Sequence, residues 1–371
     1  MPAPEVFVNH FDAVSAYGLG ADRLIAGLYA GHSALAPTPF KNPLTGELLW
    51  GGMVPELSPR KDKEFRAFKM LELLRNRGNP VPAGTPVFLS TTIGAIEAIE
   101  QEFSGEGCRC QTPHLQELIA LITRLFAASR VILLSGACAG SGCAVAYAAM
   151  LISQGKIESA AVIGVDAISE FVASGFSSLN ALSPEICRPF DVCGRGLNLG
   201  EAAAITVLSG RPQTGTLGKV LGWAGNADAW HATAPSPDGK PLSEAIRAAL
   251  GKAALEPEDI ACIAAHGTGT AYNDSMESAA FRQTFHSPPP AFSIKGGCGH
   301  TLAAAGLLQL GVALEAFRLK RTPPNLNLLE ALAGASGFVN AGAMACRPGK
   351  AVLSVNSGFS GMNVALLLGQ S

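Results

Sequence analysis

Cys138, His266 and His300 are the residues whose types and settings point to chemistry. Cys138 lies in Ser135-Gly136-Ala137-Cys138-Ala139-Gly140-Ser141-Gly142, after an apolar run at 131–134 and before a helical stretch at 143–153. A thiol at a helix N-terminus feels the positive end of the dipole, which favours the nucleophilic thiolate. Small neighbours let a thioester approach the backbone, whose free N–H groups can hold an oxyanion. The competing reading is a small buried hydrophobe, as most free cysteines are. Cys143 lies deeper in the helix and reads as packing. His266 ends an apolar strand and opens His266-Gly267-Thr268-Gly269-Thr270, and His300 closes Lys295-Gly296-Gly297-Cys298-Gly299-His300 before an apolar helix. A lone histidine is usually a satisfied structural residue, but these two sit at strand ends, where α/β proteins bind ligands. Two neutral imidazoles there can donate hydrogen bonds to a thioester or an enolate without a metal. His10, His32, His114 and His286 lack such settings and read as structural.

The elements that must position these groups alternate along the chain. Strand 131–134, turn, helix 143–153 ending near Gly155, and strand 160–165 make a βαβ unit whose helix is apolar all round and therefore central. The pattern recurs as helix 242–250, strand 260–265, helix 302–317 and strands near Val339 and at 351–355. An α/β fold with helix-covered sheets follows. No linker separates two halves, and the join is expected within 202–208, giving units 1–205 and 206–371.

Composition narrows the class. The chain has 371 residues, 48% hydrophobic and 15% charged, and a formal net charge of −2. That excludes a disordered chain and a global basic field for nucleic acid. Nine cysteines are an odd number, and no leader peptide is legible, so a reducing cytoplasm is expected. Cys108 and Cys110 form a lone C-x-C without a second pair at zinc spacing, so no metal is expected. Residues 131–155 and 351–371 carry no charge but are broken by Gly, Ser and Asn. They read as segments buried on both faces rather than membrane spans.

Taken in order, Gly136-Ala137-Cys138-Ala139, His266-Gly267-Thr268-Gly269-Thr270 and Lys295-x-x-x-Gly299-His300-Thr301-x-x-Ala304-Ala305-Gly306 resemble the Cys-His-His condensing enzymes. These are the elongating β-ketoacyl-[acyl carrier protein] synthases of fatty acid and polyketide synthesis. The likeness extends through Arg188-Pro189-Phe190-Asp191, Gly200-Glu201-Ala202 and His231-x-Thr233-x-x-Ser236-Pro237-x-Gly239 to Asn356-Ser357-Gly358-Phe359-Ser360-Gly361-x-Asn363. It implies the thiolase fold, two similar halves in a five-layered α-β-α-β-α arrangement.

The resemblance also implies roles. Cys138 would take an acyl group from a carrier thioester, and malonyl-carrier would follow. His266 and His300 would assist decarboxylation and hold the enolate oxygen. The backbone N–H groups of Cys138 and Phe359 would form an oxyanion hole. Lys295 would lie near His300 and, with Glu277 and Asp274, build a buried charged network. Thr268 and Thr270 would bond the phosphopantetheine arm, which arrives on the carrier, so the enzyme needs no cofactor of its own. Arg60, Lys61 and Lys63 precede a helix where relatives bind the acidic acyl carrier protein, although a solvated charge run reads the same way. Strand 159–166 would pair with its twin across a two-fold axis, in a homodimer or with a related synthase-like subunit. Departures from the pattern are Ser360 for glycine, Met362 for threonine, a missing Phe before Gly358, and Gly194-Arg195-Gly196-Leu197 after Asp191. They bear on gate and acyl channel rather than reaction class. Two rivals are a non-catalytic chain-length partner subunit, disfavoured by the retained Cys138, His266, His300 and Lys295, and a Cys-His hydrolase, disfavoured because no feature activates a water.

Overall fold

The computed structural model describes residues 5–57, 65–103 and 114–371. Arg60, Lys61, Lys63, Cys108 and Cys110 lie outside the described residues. The strands are β1 (Phe7–Ser15), β2 (Gly18–Leu19), β3 (Ala36–Lys41), β4 (Leu48–Gly52), β5 (Val87–Ser90), β6 (Val131–Leu134) and β7 (Ser159–Asp166). They continue with β8 (Leu199–Gly200), β9 (Ala202–Ser209), β10 (Gly218–Ala227), β11 (Ile260–Ala264), β12 (Ala291–Phe292), β13 (Ala351–Gly358) and β14 (Met362–Gly369).

Ten strands follow one path, β12-β11-β13-β14-β10-β1-β9-β7-β5-β6, and this path contains a repeat. From the outer edge inward, β6-β5-β7-β9-β1 and β12-β11-β13-β14-β10 are each the third, second, fourth, fifth and first of the five strands that their half contributes to this path. The directions match as well. β5 is parallel to β6 and β7 while β9 runs antiparallel to β7 and β1. Likewise β11 is parallel to β12 and β13 while β14 runs antiparallel to β13 and β10. The halves meet where Phe7 and Val8 of β1 pair with Lys219 and Gly218 of β10. β9 pairs throughout with β7 and β1, so the repeat unit ends after Ser209 rather than within the strand at 205/206.

Alternation along the strands builds the layers. In β7, Ala160 and Val162 face one core, and Ala161, Ile163 and Val165 face another. In β13 and β14, Val352, Val364, Leu366 and Leu368 join that first core, and Leu353, Val355, Ala365 and Leu367 face a third. The shared core holds the helices Gly140–Ser153 and Ala305–Leu319, which lie between the two half-sheets. Arg66–Asn76 and His114–Phe126 cover the outer face of the first half, and Lys240–Ala253 and Ala271–Thr284 that of the second. This is the five-layered thiolase-like arrangement. Each Leu or Val so enclosed contributes about 1.5–3 kcal/mol by leaving water. The apolar helical stretch Leu302–Leu319 is long enough to cross a membrane, but most of it is buried in this core.

Two expectations change. β7 is not an edge strand, because β5 and β9 pair along both of its sides. The open edge of the first half is β6, where Leu133 is 38% exposed and Tyr147 on the adjoining helix 41%. The 131–134 strand is therefore only partly covered within one chain. The nucleophile helix also starts earlier than Cys143: a 3-10 turn at Ala137–Ala139 runs into the helix at Gly140.

Candidate active site

Cys138 sits in the 3-10 turn between β6 and its helix, behind Ala137 in the left-handed region (φ 46°). That strained turn presses the backbone of Cys138 against the end of β13. A Cβ on Gly358 would lie 2.9 Å from the Gly136 carbonyl and 3.2 Å from the Cys138 nitrogen, so only glycine permits the approach. The backbones of Cys138 and Phe359 thereby lie close enough to favour the Cys138 thiolate. The sulfur is buried among Phe40, Leu49, Ile168, Val172 and Leu197. Burial pushes the thiol up to about 12, and Lys295 and the two amides pull it only partly back. Desolvation thus opposes the thiolate that the helix terminus favours. Cys143, half-buried against the shared core and pushed up to about 11 by burial, is packing.

His266 follows β11, and two carboxylates hold its loop. Glu277 accepts the N–H groups of His266 (2.7 Å) and Gly267 (2.6 Å). Asp274 accepts those of Thr268 (2.9 Å), Gly269 (3.0 Å) and Phe190 (2.6 Å). Burial pushes Glu277 up to about 7 and raises Asp274, with the amide donors opposing both shifts. Both acids come from one turn of helix Ala271–Thr284, so an i, i+3 spacing serves the whole loop.

Lys295 is fully enclosed, and its Nζ bonds the His266 carbonyl and lies 3.3 Å from His266 Nδ1. The resemblance had put Lys295 beside His300; its hydrogen bonds instead go to His266, and it acts on His300 only through its charge. Nor do Glu277 and Asp274 reach Lys295 with an ion pair among the described residues; they spend their oxygens on loop amides. Burial lowers the Lys295 ammonium, while Glu277 and Cys138 oppose the shift.

The backbone of His300 is pinned by the Asn198 carbonyl (2.7 Å) and by the Gly200 N–H (2.9 Å). Its Nδ1 accepts the Leu302 N–H at 3.3 Å. The two imidazoles stand edge to face, centroids 5.2 Å apart at 83°. Burial first and Lys295 second hold both well below the usual imidazole range, so both are neutral. An ammonium can only donate, so Nδ1 of His266 accepts and its proton sits on Nε2. His300, accepting at Nδ1, is protonated on Nε2 by the same logic.

Cys138, His266, His300, Thr268, Thr270, Gly358 and Phe359 line one cavity of about 340 Å³. Thr268 and Thr270 bond each other through their hydroxyls at 2.8 Å. Phe359 stacks on Phe176, centroids 5.5 Å apart. Ser360, where the resemblance expects glycine, keeps the left-handed conformation (φ 68°), and its N–H donates to the Ala232 carbonyl at 2.7 Å.

Asp166 is the residue that sequence reasoning missed. Fully buried at the end of β7, it accepts the Thr91 hydroxyl (2.7 Å) and the N–H groups of Thr92 (2.9 Å) and Ala303 (2.8 Å). It thereby ties the loop after β5 to the turn after His300. Burial pushes it up to about 6 against these donors. Its signal in the sequence was a lone acid between Glu158 and Glu170, directly after an apolar strand.

Comparison with known proteins places this geometry. Residues 95–213 match the β-ketoacyl synthase N-terminal domain and residues 217–329 the C-terminal domain. The chain is 30% identical to the tetracenomycin polyketide synthase ketoacyl synthase alpha subunit of Streptomyces glaucescens, over 94% of this chain and 92% of that protein. It is 32% identical to the 3-oxoacyl-[acyl-carrier-protein] synthase 2 of Mycobacterium leprae over 63% of this chain and 59% of that protein. Among solved structures it resembles the ishigamide ketosynthase/chain length factor (TM-score 0.86, 28% identity, all of both chains). It also resembles the ketosynthase ApeO in complex with its chain length factor ApeC from Xenorhabdus doucetiae (TM-score 0.83, 25% identity, 99% and 98% covered). With the repeated half-sheets and the converging thiol and imidazoles, these matches make the chain a member of the β-ketoacyl synthase family, whose enzymes condense acyl units in polyketide and fatty-acid elongation.

Proposed function

We propose that this chain is a catalytic ketosynthase in which Cys138 carries the growing acyl group and His266 and His300 stabilise the enolate of malonyl-carrier. The observation that carries the reading is the pair of neutral imidazoles, each with its proton on Nε2, in one cavity with the Cys138 thiol.

Acyl transfer comes first. The Cys138 sulfur attacks the carrier thioester, its proton leaves with the carrier thiol, and a Cys138 thioester forms. During this step the amides of Cys138 and Phe359 receive the developing oxyanion. Malonyl-carrier then places its thioester oxygen between the two Nε2–H donors. Loss of carbon dioxide leaves its electron pair in the enolate, and two buried donors stabilise that charge without reorganising. The enolate carbon attacks the Cys138 thioester, the C–S bond breaks, and β-ketoacyl-carrier departs. Cys138 leaves as thiolate and regains a proton, which its high thiol pKa favours. Phosphopantetheine arrives on the carrier, where Thr268 and Thr270 face it, and no resident cofactor takes part. The setting is cytoplasmic.

The reading includes a partner. Relatives in solved structures pair ketosynthases with chain length factors and with an acyl-carrier protein. The half-covered β6 edge supports a two-fold strand pairing, with a second copy or with a related subunit. Retention of the thiol and both imidazoles in working geometry favours the catalytic member of such a pair over the chain-length partner.

The test separates acylation from decarboxylation. His266→Ala and His300→Ala should each lower carbon dioxide release from malonyl-carrier by about 10²–10³-fold, the cost of one oxyanion donor. Acylation of Cys138, read by intact mass, should fall far less. Equal loss in both steps would show that the imidazoles only hold the site together.

A further inference from the structure

In the second half, among residues that do not line the cavity, two cysteines pack against one core cluster. Cys262 is fully buried on β11, and Cys346 is half-buried in the segment leading into β13. The Arg347 N–H donates to the Ala261 carbonyl at 2.9 Å, which sets Cys346 and Cys262 on adjacent stretches of backbone. The Cys346 S–H donates to the Ala316 carbonyl (3.6 Å), and the two thiols shift each other's titration, Cys262 upward and Cys346 downward. Cys346 packs against the same core cluster that contains Cys262.

We propose that Cys346 and Cys262 are an oxidant-responsive pair that closes reversibly to a disulfide when the chain meets a peroxide. The roles follow from exposure and hydrogen bonding. Cys346 is the partner that solvent reaches, and the Cys262 S–H holds its thiol below the ordinary value while Cys262 itself is raised. The Cys346 thiolate breaks the O–O bond of hydrogen peroxide, forming a sulfenic acid and releasing hydroxide. The Cys262 sulfur then attacks the sulfenyl sulfur, its S–H proton leaves with the hydroxyl as water, and the S–S bond forms. Two thiols and one peroxide become one disulfide and two waters. β11 runs on to His266, so the bond fastens the strand that carries an imidazole of the site.

The folded, reduced chain is treated with hydrogen peroxide, digested without reductant and mapped by mass. Wild type should yield a linked Cys262–Cys346 peptide pair two hydrogens lighter than its parts, reversed by dithiothreitol. Cys346→Ser should lose the pair. Cys262→Ser should lose it and accumulate a sulfenic acid at Cys346 that dimedone traps. Absence of the linked pair from folded wild type overturns the proposal, whatever the variants do. So does a pair that forms only after urea unfolding.

Discussion

The two halves share one strand order and one set of directions but divide the chemistry unequally. After its third strand, the first half supplies a thiol and a backbone amide, from Cys138. At the same place the second half supplies Lys295 and His300, and after its second strand, His266. Each half also clamps the loop after its second strand with buried carboxylates. In the first, Asp166 reaches across from the neighbouring strand; in the second, Asp274 and Glu277 reach back from the following helix. The same backbone frame therefore accepts different carboxylate sources, provided the loop amides find acceptors. What distinguishes the halves is charge: the second encloses an ammonium beside two imidazoles that burial, and then its charge, keep neutral, and the first encloses a thiol in an apolar pocket.

The largest expected effect breaks the first half's contribution. Cys138→Ser should lower condensation by about 10⁴–10⁶-fold, the scale on which nucleophile loss reads. Its melting temperature should stay near wild type, since the change is nearly isosteric. A variant that condenses normally removes Cys138 from the reaction.

The clamps come next. Asp166→Ala strands several buried donors at once and should cost about 3–5 kcal/mol in urea unfolding. Glu277→Gln keeps one acceptor oxygen and should cost about 1–3 kcal/mol. If the two variants are equally destabilised, the first clamp has no special part in joining the halves.

The smallest effect is a slope. His300 is held far below its unfolded value of 6.5, so below that pH the unfolded chain binds a proton that the native chain refuses. Its contribution is present above about pH 6.5 and is lost as pH falls. Against His300→Gln, wild type should therefore lose about 1.4 kcal/mol of stability per pH unit below 6.5. Parallel curves for the two proteins would mean that His300 titrates normally in the native state.

The reacting residues were legible because their types stand in small-residue and glycine-rich turns after apolar strands, where bulk packing does not call for Cys or His. The alternation of strands and helices was legible too. The edge was not. Residues 160–165 and 131–134 are both apolar and both pair with β5, and only the long-range pairing of β7 with β9 decides which one lies outside. The partner of Lys295 was equally hidden, because it depends on how a long side chain threads a core. Asp166 shows the same limit: a buried acid at a strand end is visible, but its donors at Thr91, Thr92 and Ala303 are remote in sequence.

The pairing of β1 with β9 has a consequence for synthesis. Phe7 finds its strand partner at Ser209, and Lys219 at the head of β10 finds its own at Gly369. A ribosome adds about 5–20 residues per second, so β1 waits on the order of 10–40 s for its partner, and β10 nearly as long for β14. Through each interval the nascent chain carries apolar strands that are buried on both faces in the finished protein. Such delayed, non-local closure folds slowly and exposes aggregation-prone surface. Production of this chain should therefore respond to slower translation and to chaperone supply before it responds to any change in the finished core.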